Sequence, residues 1–500
     1  MEGRVSDAGT EGRVSPPRRI VWNTVFSAFS ELSMLFTAAF FFLAANRLGK
    51  DVWGQFNTAM GFTGLFAMLI LFGFSYSITK VIVRRPRDAG IYVSNALWLQ
   101  AGLTVLTLGL CYGAALVFRE KYTLPFRLLL LVVFAAESLK SWTLTLRAAV
   151  KALGGFHHDT VAMNAERVVL LVIGGGLLIG GRGVFAAAWI FAASRLISFV
   201  WLFFAVRRLC PGGYSRPSVN VSASLLSESW IYVAQSALWR VYDYIDTVLV
   251  SLLTVGFGPA GVYGVARKIL ESLWLVPNVL TEATYPEIAG RTLVSKDLVR
   301  TLLGRAIRYL TAAAFAVALG TVLMAGTVMG WFGPEYREGG VALAVLGLAV
   351  VPAYLRYLFG NTLIAVNLQT REIAASAARS VFNIAVNIIL IRRYGIIGAA
   401  AATAATDVFI VCLYWRILEK AGFVVRSQLA VLGKPFAALT LMAPVYWLMN
   451  GAHPVVQCAV LLPLYAVLIT AFGLFHRNEL EWFRKSLAGK AGKLFRIGKK

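Results

Sequence analysis

The sequence predicts an all-α, polytopic membrane protein with about fourteen transmembrane helices, and three observations point to this fold class. Hydrophobic residues make up 58% of the 500 positions, charged residues make up only 14%, and the mean hydropathy is +0.71. Soluble globular domains are not that apolar. Apolar stretches long enough to cross a bilayer recur from about Val21 to Phe475, and the gaps between them are too short for an extramembrane domain.

The spans are placed by breaking the apolar runs at glycine, proline and clusters of charge. They are predicted near residues 21–46, 56–79, 91–118, 124–148, 162–180, 184–206, 228–255, 261–286, 303–332, 341–360, 372–391, 397–418, 433–450 and 455–475. The polar opening of the chain lacks an apolar core followed by a cleavage site, so it is expected to stay in the cytoplasm. An even number of spans then returns the C-terminus to the cytoplasm as well.

The excess of basic residues agrees with this orientation. The net charge is +24, and the predicted inside loops, such as "KVIVRRPRDAG" and "GRTLVSKDLVRTLLGR", are rich in Lys and Arg. The predicted outside turns "GFGPAG" and "NGAHP" contain neither. Since cytoplasmic loops of membrane proteins collect positive charge, the excess is typical of a multi-pass membrane protein and does not require a nucleic-acid partner.

Two predicted outside turns share one pattern. "RLGKDVWGQFNTA" and "TVGFGPAGVYGVA" both read Gly, four residues, Gly, one residue, aromatic, two residues, Ala. Gly49 and Gly54 of the first turn correspond to Gly256 and Gly261 of the second at a constant offset of 207 residues. The alternative is two unrelated tight turns, for which glycine is suited in any case. The matched spacing favours an internal parallel repeat, an architecture found in transporters.

A weaker echo pairs "GRGVFAAAWIFAA", which opens span 6, with "YGIIGAAAATAAT", which opens span 12. Together the echoes predict two six-helix lobes in parallel, followed by two appended helices. The predicted parts are a cytoplasmic N-terminal tail 1–20, an N-lobe 21–206 (spans 1 to 6), a cytoplasmic linker 207–227, a C-lobe 228–420 (spans 7 to 12), spans 13 and 14 within 421–476, and a basic cytoplasmic tail 477–500.

Span 7 contains the stretch "WRVYDYIDTVLV", in which Arg240, Asp243 and Asp246 lie on one helical face. Charges at this depth are costly, so they are expected to face the bundle interior and to have a partner or a function. One interpretation is that Arg240 and Asp243, one turn apart, neutralise each other. Asp246 would then be protonated, bind a cation, or pair with Arg267 or Lys268 on the next span.

Arg195 in span 6 and Arg379 in span 11 have no acidic residue within one turn on their own helix. With Arg240, Arg267 and Lys268 they are predicted to form a cationic surface that binds an anionic ligand. Arginine suits a diphosphate because its planar fork donates two hydrogen bonds and keeps its charge when desolvated. Glu137 and Lys140, three residues apart in span 4, are expected to be a structural pair.

Several segments resemble the bacterial polysaccharide biosynthesis proteins, which are lipid-linked oligosaccharide flippases of the multidrug/oligosaccharidyl-lipid/polysaccharide exporter superfamily. The segments are "AANRLGKDVWGQFNTAMGFTGLFAMLILFGFSYSITKVIVRRP", "YDYIDTVLVSLLTVGFGPAGVYGVARKI" and "FGPEYREGG". The resemblance implies alternating access between two lobes and a cationic lumen that binds the diphosphate of an undecaprenyl-linked oligosaccharide of O-antigen, exopolysaccharide or capsule type. It implies membrane lipids, a polysaccharide polymerase and glycosyltransferases as partners.

Energy coupling is expected to come from an ion gradient. The chain has no Gly-rich loop followed by Lys and Ser or Thr, the pattern that binds ATP phosphates. The remaining candidates for H⁺ or Na⁺ coupling are Glu31, Asp243 and Asp246. The four cysteines and four histidines show no disulfide or metal-ligand spacing, so no cofactor or metal is expected.

Three other functions stay open at this point. A multidrug or metabolite exporter of the same superfamily would need only twelve helices, and a cationic lumen suits cationic drugs poorly. A peptidoglycan-precursor flippase would share the fold and differ in the sugar. A membrane glycosyltransferase or polymerase is the weakest alternative, because such chemistry needs acid, base or metal ligands, usually on a sizeable loop, and the outside loops are short. The protein is therefore not expected to be an enzyme.

Overall fold

The computed structural model describes residues 33–210, 212–292 and 295–475, and the regular structure of this part of the chain is helical throughout. The α-helices are α1 Met34–Leu71, α2 Phe74–Arg84, α3 Ala89–Val117, α4 Leu124–Ala152, α5 Phe156–Val169, α6 Gly175–Ile179, α7 Val184–Leu209, α8 Val219–Leu253, α9 Gly258–Ser272, α10 Leu275–Thr292, α11 Lys296–Trp331, α12 Gly340–Ala365, α13 Gln369–Lys420, α14 Ala430–Leu448 and α15 Pro454–Ala471. A single π-helical stretch, Leu170–Gly174, joins α5 to α6.

Two long helices each contain two of the predicted spans. Gly49 in α1 (φ 76°, ψ 166°) and Gly395 in α13 (φ 56°, ψ −132°) interrupt the helical backbone with dihedral angles that favour glycine. Ten stretches of the described chain are long and apolar enough to cross a membrane, and α1 and α13 belong to two of them. With the kinks and with α8, α9 and α10, helix is present at each of the fourteen predicted spans, although the start of span 1 lies outside the described residues.

The helices form two compact units. Within the described residues, the first unit holds 33–47 and 66–234, and the second holds 48–65 and 235–475. In the first unit a core of apolar side chains joins α2, α3, α4 and α7, with Phe74, Val93, Leu146 and Leu202 completely buried. The boundary differs from the predicted lobes at residues 48–65, which pack with the second unit.

The last two helices dock on α11 within the second unit. Met442 of α14 and Leu461 and Tyr465 of α15 form one buried cluster with Ala312 of α11. The Tyr465 hydroxyl donates a hydrogen bond to the Ala312 carbonyl at 3.0 Å. A tyrosine whose polar end reaches a backbone oxygen can be buried at little cost, so the contact fixes α15 against the bundle.

Burial follows the weaker of the two sequence echoes. At an offset of 212 residues, buried positions of α7 coincide with buried positions of the second half of α13. The coincident pairs include Ala187 and Ala399, Ser194 and Thr406, Arg195 and Asp407, and Leu202 and Tyr414. The two helices therefore present the same face to their surroundings, which is what the predicted parallel repeat requires.

The glycine turns of the stronger echo meet each other inside the second unit. Gly49 and Gly256 both have positive φ, 76° and 73°. A Cβ atom on Gly54 would overlap the carbonyl oxygen of Phe257, and a Cβ atom on Gly261 would overlap the carbonyl oxygen of Lys50. Since Phe257 and Lys50 are themselves related by the offset of 207, the contact is reciprocal. The glycines are required here because two backbones come into direct contact.

Candidate functional site

The first unit contains a buried cluster of charges in which each charged group has an opposite neighbour. Arg195 of α7 donates to Glu137 of α4 at 2.8 Å and lies 3.9 Å from Glu166 of α5. Lys140 lies 3.6 Å from Glu137, so the predicted pair of Glu137 and Lys140 is confirmed. The Arg195 guanidinium also lies 4.0 Å from the centre of the Phe191 ring. Arg195 was selected because its own helix carries no nearby acid, but neighbouring helices supply two.

The second unit has a buried pair of the same kind. Arg356 Nε of α12 lies 2.8 Å from Asp407 Oδ1 of α13, and both side chains are only 2% exposed. The Tyr242 hydroxyl of α8 donates to the same carboxylate oxygen at 2.8 Å. The Arg356 guanidinium stacks on the rings of Tyr242 and Trp274 at 5.0 and 4.9 Å. This pair joins three helices and orients two aromatic rings.

Asp246 of α8 is the most buried carboxylate of span 7, with its side chain 1% exposed. Its Oδ1 accepts a hydrogen bond from Asn387 Nδ2 at 2.8 Å, and its Oδ2 accepts bonds from Thr403 at 2.8 Å and Tyr263 at 3.1 Å. Arg267 lies 3.4 Å from the same Oδ2, so of the alternatives left open for Asp246 the structure shows the pairing with Arg267. Four helical segments thus converge on one carboxylate.

Two neighbours of this network have unused oxygen atoms. Asn383 and Asn387 are one turn apart on α13 and are both completely buried. Among the residues that the structure describes, the Oδ1 atom of each has no hydrogen-bond partner, although each Nδ2 atom donates a bond, from Asn383 to Thr406 and from Asn387 to Asp246. Buried amide oxygens are normally satisfied, so these two acceptors mark a place where a cation or a proton donor would be stabilised.

The interpretation that Arg240 and Asp243 neutralise each other is wrong. Arg240 Nη1 donates a hydrogen bond to the Gly64 carbonyl oxygen at 3.5 Å, and Arg240 forms no ion pair in the described chain. Asp243 instead lies 3.8 Å from Arg267, one helix away. Arg240 and Asp243 are one turn apart on α8. Asp243 nevertheless lies beside the Arg267 guanidinium of α9, which also contacts Asp246, so Arg240 has no acidic partner in the described chain.

Arg379 of α13 also lacks an acidic partner. Its side chain is almost fully buried, and its Nε and Nη2 atoms have no hydrogen-bond partner within the part of the chain that the structure describes. The guanidinium lies 4.2 Å from the centre of the Tyr242 ring and 5.5 Å from that of Trp239. Aromatic faces stabilise a cation but do not neutralise it, so Arg379 remains a source of positive potential inside the unit.

A cavity of about 420 Å³ lies beside these groups in the second unit. Its charged lining consists of Arg267, Lys268, Arg356, Asp243, Glu271 and Asp407. Lys268 lies 2.8 Å from Glu271, so this predicted cation also has an acid at its side. The remaining walls include Trp239, Tyr242, Tyr244, Trp274, Tyr357 and Asn278.

The predicted site residues therefore fall into three groups. Arg267, Lys268 and Asp243 line the cavity, and Asp246, Arg240 and Arg379 belong to the same unit. Arg195 belongs to the first unit, and Glu31 lies outside the described residues. Sequence reasoning missed the roles of Arg356, Asp407 and the asparagine pair. The spacing of Asn383 and Asn387, two amides that continue the helical face of Arg379 at intervals of four residues, was the available signal.

The fold and the site define a polytopic helical membrane protein with buried charge networks and an internal polar cavity, which is the class of membrane transporters. A family model described as "Polysaccharide biosynthesis protein" matches residues 21–290, more than half of the chain. The chain belongs to this polysaccharide biosynthesis protein family, as its resemblance implied.

Two relatives from Haloferax volcanii carry flippase names. One, named "Probable flippase AglR", is 30% identical over 220 residues, which is 43% of this chain and 46% of that protein. This match spans less than half of the relative's length. The other, named "Probable low-salt glycan biosynthesis flippase Agl15", is 22% identical over 370 residues, which is 72% of this chain and 75% of that protein.

Solved structures share the fold at low sequence identity. The lipid II flippase MurJ in an inward closed conformation has a TM-score of 0.66 at 13% identity and covers 88% of this chain and 98% of its own. An inward-facing multidrug resistance MATE family transporter of the MOP superfamily has a TM-score of 0.67 at 15% identity, and the match covers 80% of this chain and 98% of that transporter. The fold class predicted from the sequence is confirmed.

Proposed function

We propose that this protein is a flippase that moves a lipid-linked oligosaccharide across the cytoplasmic membrane by alternating access. The observation that carries the proposal is the pair Arg240 and Arg379, two guanidinium groups in a membrane-spanning bundle without an acidic partner in the described chain. An unneutralised cation is costly at this depth, so it is retained where an anionic group must be stabilised. The diphosphate of a polyprenyl-linked glycan is such a group.

The five predicted cations would not contribute equally. Arg240 is half-buried and reachable, and Arg379 supplies positive potential behind the rings of Trp239 and Tyr242. Arg267, Lys268 and Arg195 already have carboxylates within 4.0 Å and would reach a phosphate only after those pairs rearrange. The prenyl tail would remain in the lipid throughout, so only the head group needs the polar path.

We assign ion coupling to Asp246. Its carboxylate, the Thr403 hydroxyl and the unpaired amide oxygens of Asn383 and Asn387 are oxygen ligands of the kind that a hard cation such as Na⁺ prefers. Binding of Na⁺ or of a proton to Asp246 would weaken its attraction for Arg267. This releases a cation on α9, beside the cavity, and thus links ion binding to the affinity for an anionic head group. Asp243 and Glu31 are the other coupling candidates.

The rival functions differ in the cargo. The fold is shared by MurJ and MATE proteins at similar TM-scores, so it does not discriminate between them. The family, described by its role in polysaccharide biosynthesis, and the name of one Haloferax volcanii relative, a probable glycan biosynthesis flippase, favour a glycan over a drug. We propose no catalytic step, we place both termini in the cytoplasm, and we expect a polysaccharide polymerase and glycosyltransferases as functional partners.

Transport by the purified protein in liposomes tests the proposal. A fluorescent polyprenyl-diphosphate disaccharide is the probe, and its movement between leaflets is followed by a membrane-impermeant quencher. We expect Arg240→Ala and Arg379→Ala to slow transport by about tenfold or more, roughly 1.4 kcal/mol or above, and lysine at either position to restore part of it. Unimpaired transport in alanine variants of all five predicted cations would refute the cationic path.

The coupling assignment needs a separate measurement. Transport is compared with and without an imposed Na⁺ gradient, proton gradient and membrane potential, for the native chain and for Asp246→Asn and Asp243→Asn. We expect Asp246→Asn to remove the dependence on the coupling gradient, and Asp243→Asn to retain it. Native transport that responds to none of the three conditions would show that no ion is coupled.

A further inference from the structure

We infer that the cavity of the second unit, while the ion pairs of its wall are intact, binds the sugar portion of the cargo and not the diphosphate. This inference rests on the proposed function and assigns one part of the substrate to one set of walls. The cavity is distinct in character from Arg240 and Arg379, because its own charges are matched and its remaining walls are aromatic and amide side chains.

The charges of the cavity wall cancel in pairs. Lys268 lies 2.8 Å from Glu271, and Arg356 lies 2.8 Å from Asp407. Arg267 lies between Asp246 at 3.4 Å and Asp243 at 3.8 Å. A diphosphate that entered would meet three lining carboxylates and would have to separate at least one pair. A neutral polar ligand meets no such penalty, since balanced walls offer both hydrogen-bond donors and acceptors to it.

The aromatic walls fit the faces of a sugar ring. A pyranose presents an apolar face of C–H groups and a rim of hydroxyls, so it binds to an indole face and to flanking polar groups. Trp239 is 37% exposed and Trp274 is half-buried. Arg379 lies 5.5 Å from the Trp239 ring centre and Arg356 lies 4.9 Å from that of Trp274. These contacts hold both indoles in place, which lowers the entropic cost of binding a ring.

The polar groups needed for the hydroxyl rim are present in the cavity wall. The lining includes the indole N–H donors of Trp239 and Trp274 and the side-chain amide of Asn278, which can both donate and accept hydrogen bonds. The volume of about 420 Å³ lies within the range of small-molecule pockets, roughly 300–1,000 Å³. The cavity therefore has the shape, the faces and the hydrogen-bonding groups for one or two sugar rings.

A lipophilic cation is the competing occupant, because aromatic rings and carboxylates also attract positive charge. The pairing of each carboxylate with a base disfavours it, since no acid in the wall is free of a cation nearby. The Asn278 amide is neutral and contributes no charge to the binding of such a cation. Sugar is therefore the occupant that uses all the observed groups.

Binding to the whole protein in nanodiscs tests the inference. The probes are a polyprenyl diphosphate without sugar and the same lipid carrying an N-acetylhexosamine disaccharide. We expect the native chain to bind the glycosylated lipid about tenfold more tightly. Trp274→Ala and Asn278→Ala should each remove most of this increment and leave the affinity for the bare diphosphate unchanged. Trp274→Phe, which keeps an aromatic face, should retain most of it.

Trp331→Ala is the matched control, because Trp331 is 58% exposed at the end of α11 and does not line the cavity. An increment that survives in the Trp274 and Asn278 variants, or variants that lose affinity for both lipids equally, would overturn the sugar assignment. Binding of a fluorescent cation such as ethidium to the native chain, lost in the Trp274 and Asn278 variants, would overturn it too. If the native chain binds neither lipid, the proposed function fails; if it binds both equally, only the sugar assignment fails.

Discussion

The two compact units each contain a buried ion pair between corresponding helices, with the charges exchanged. In the first unit the acid is Glu137 on α4 and the base is Arg195 on α7. In the second unit the base is Arg356 on α12 and the acid is Asp407 on α13. Both pairs have a distance of 2.8 Å, and Arg195 and Asp407 are related by the offset of 212. The acid and the base have exchanged helices between the two units, and the contact is kept. Such a contact joins helices, since a site for an anion would require the positive charge at the same place in both units.

The surroundings of the two pairs differ. In the first unit each charge of the cluster lies near an opposite charge, because Glu166 flanks Arg195 and Lys140 flanks Glu137. The second unit adds a carboxylate network at Asp246, an internal cavity, and arginines without acids. This difference separates two roles of buried charge. The ion pair that both units share holds helices together, and the unsatisfied groups of the second unit are the ones available to ions and ligands.

Removal of the acid from each pair gives the largest expected difference between the units. We expect Asp407→Ala to lower the free energy of unfolding by about 3–5 kcal/mol, because Arg356 has no other acid within 4.0 Å in the described chain. Glu137→Ala should cost less, about 1–3 kcal/mol, because Glu166 remains near Arg195. Denaturant unfolding in detergent micelles measures both. Equal losses would show that the flanking charges give no support.

The reciprocal glycines give the next largest effect. Gly54→Ala and Gly261→Ala should each lower the free energy of unfolding by about 1–3 kcal/mol or more, because each added methyl group meets a backbone carbonyl. The loss of unfolding free energy in the double variant should be smaller than the sum of the two single losses, because both substitutions separate the same two backbone segments. Gly320→Ala in α11 is the control, since nothing lies within 4 Å of its added Cβ, and it should stabilise by up to about 1 kcal/mol. Additive losses would indicate two independent contacts.

Exchange of the charges within a pair separates structure from transport. Glu137→Arg with Arg195→Glu should recover at least about 1 kcal/mol relative to the sum of the single variants, and should restore transport. Arg356→Asp with Asp407→Arg should recover folding to a similar extent without restoring transport, because Arg356 and Asp407 also line the cavity. Thermal unfolding and liposome transport are the two measurements. Full transport in the second exchange would reduce that pair to a purely structural role.

Replacement of an arginine by methionine should have opposite effects on stability in the two units. Arg379→Met removes a buried charge that lacks an acid, so we expect the chain to be as stable or about 1 kcal/mol more stable, with slower transport. Arg195→Met should be destabilising, because it leaves Glu137 and Glu166 together. The melting temperatures of the purified variants test this. A destabilised Arg379→Met variant would mean that the stacking on Tyr242 and Trp239 outweighs the cost of the buried charge.

The sequence by itself determined the class of fold, the positions of the spans and the register of the glycine turns. Hydropathy decides these features because a bilayer leaves the backbone few alternatives to helix. It also indicated that Asp246 needs a partner or a function and named Arg267 and Lys268 as possible partners, because a carboxylate at that depth is costly alone; the structure decided for Arg267. The spacing of Gly49, Gly54, Gly256 and Gly261 could be read because a backbone contact tolerates no other residue.

Only the tertiary structure decided which charges are partnered. Arg240 and Asp243 are one turn apart on the same helix, yet Asp243 lies by Arg267 and Arg240 has no acid. Arg195 has no acid nearby on its own helix, but two acids from neighbouring helices lie within 4.0 Å of it. Arg379 instead lies over an aromatic ring. The reason is physical: partners within a helix follow from a fixed spacing, but partners across helices depend on rotation and packing, which a single sequence does not state.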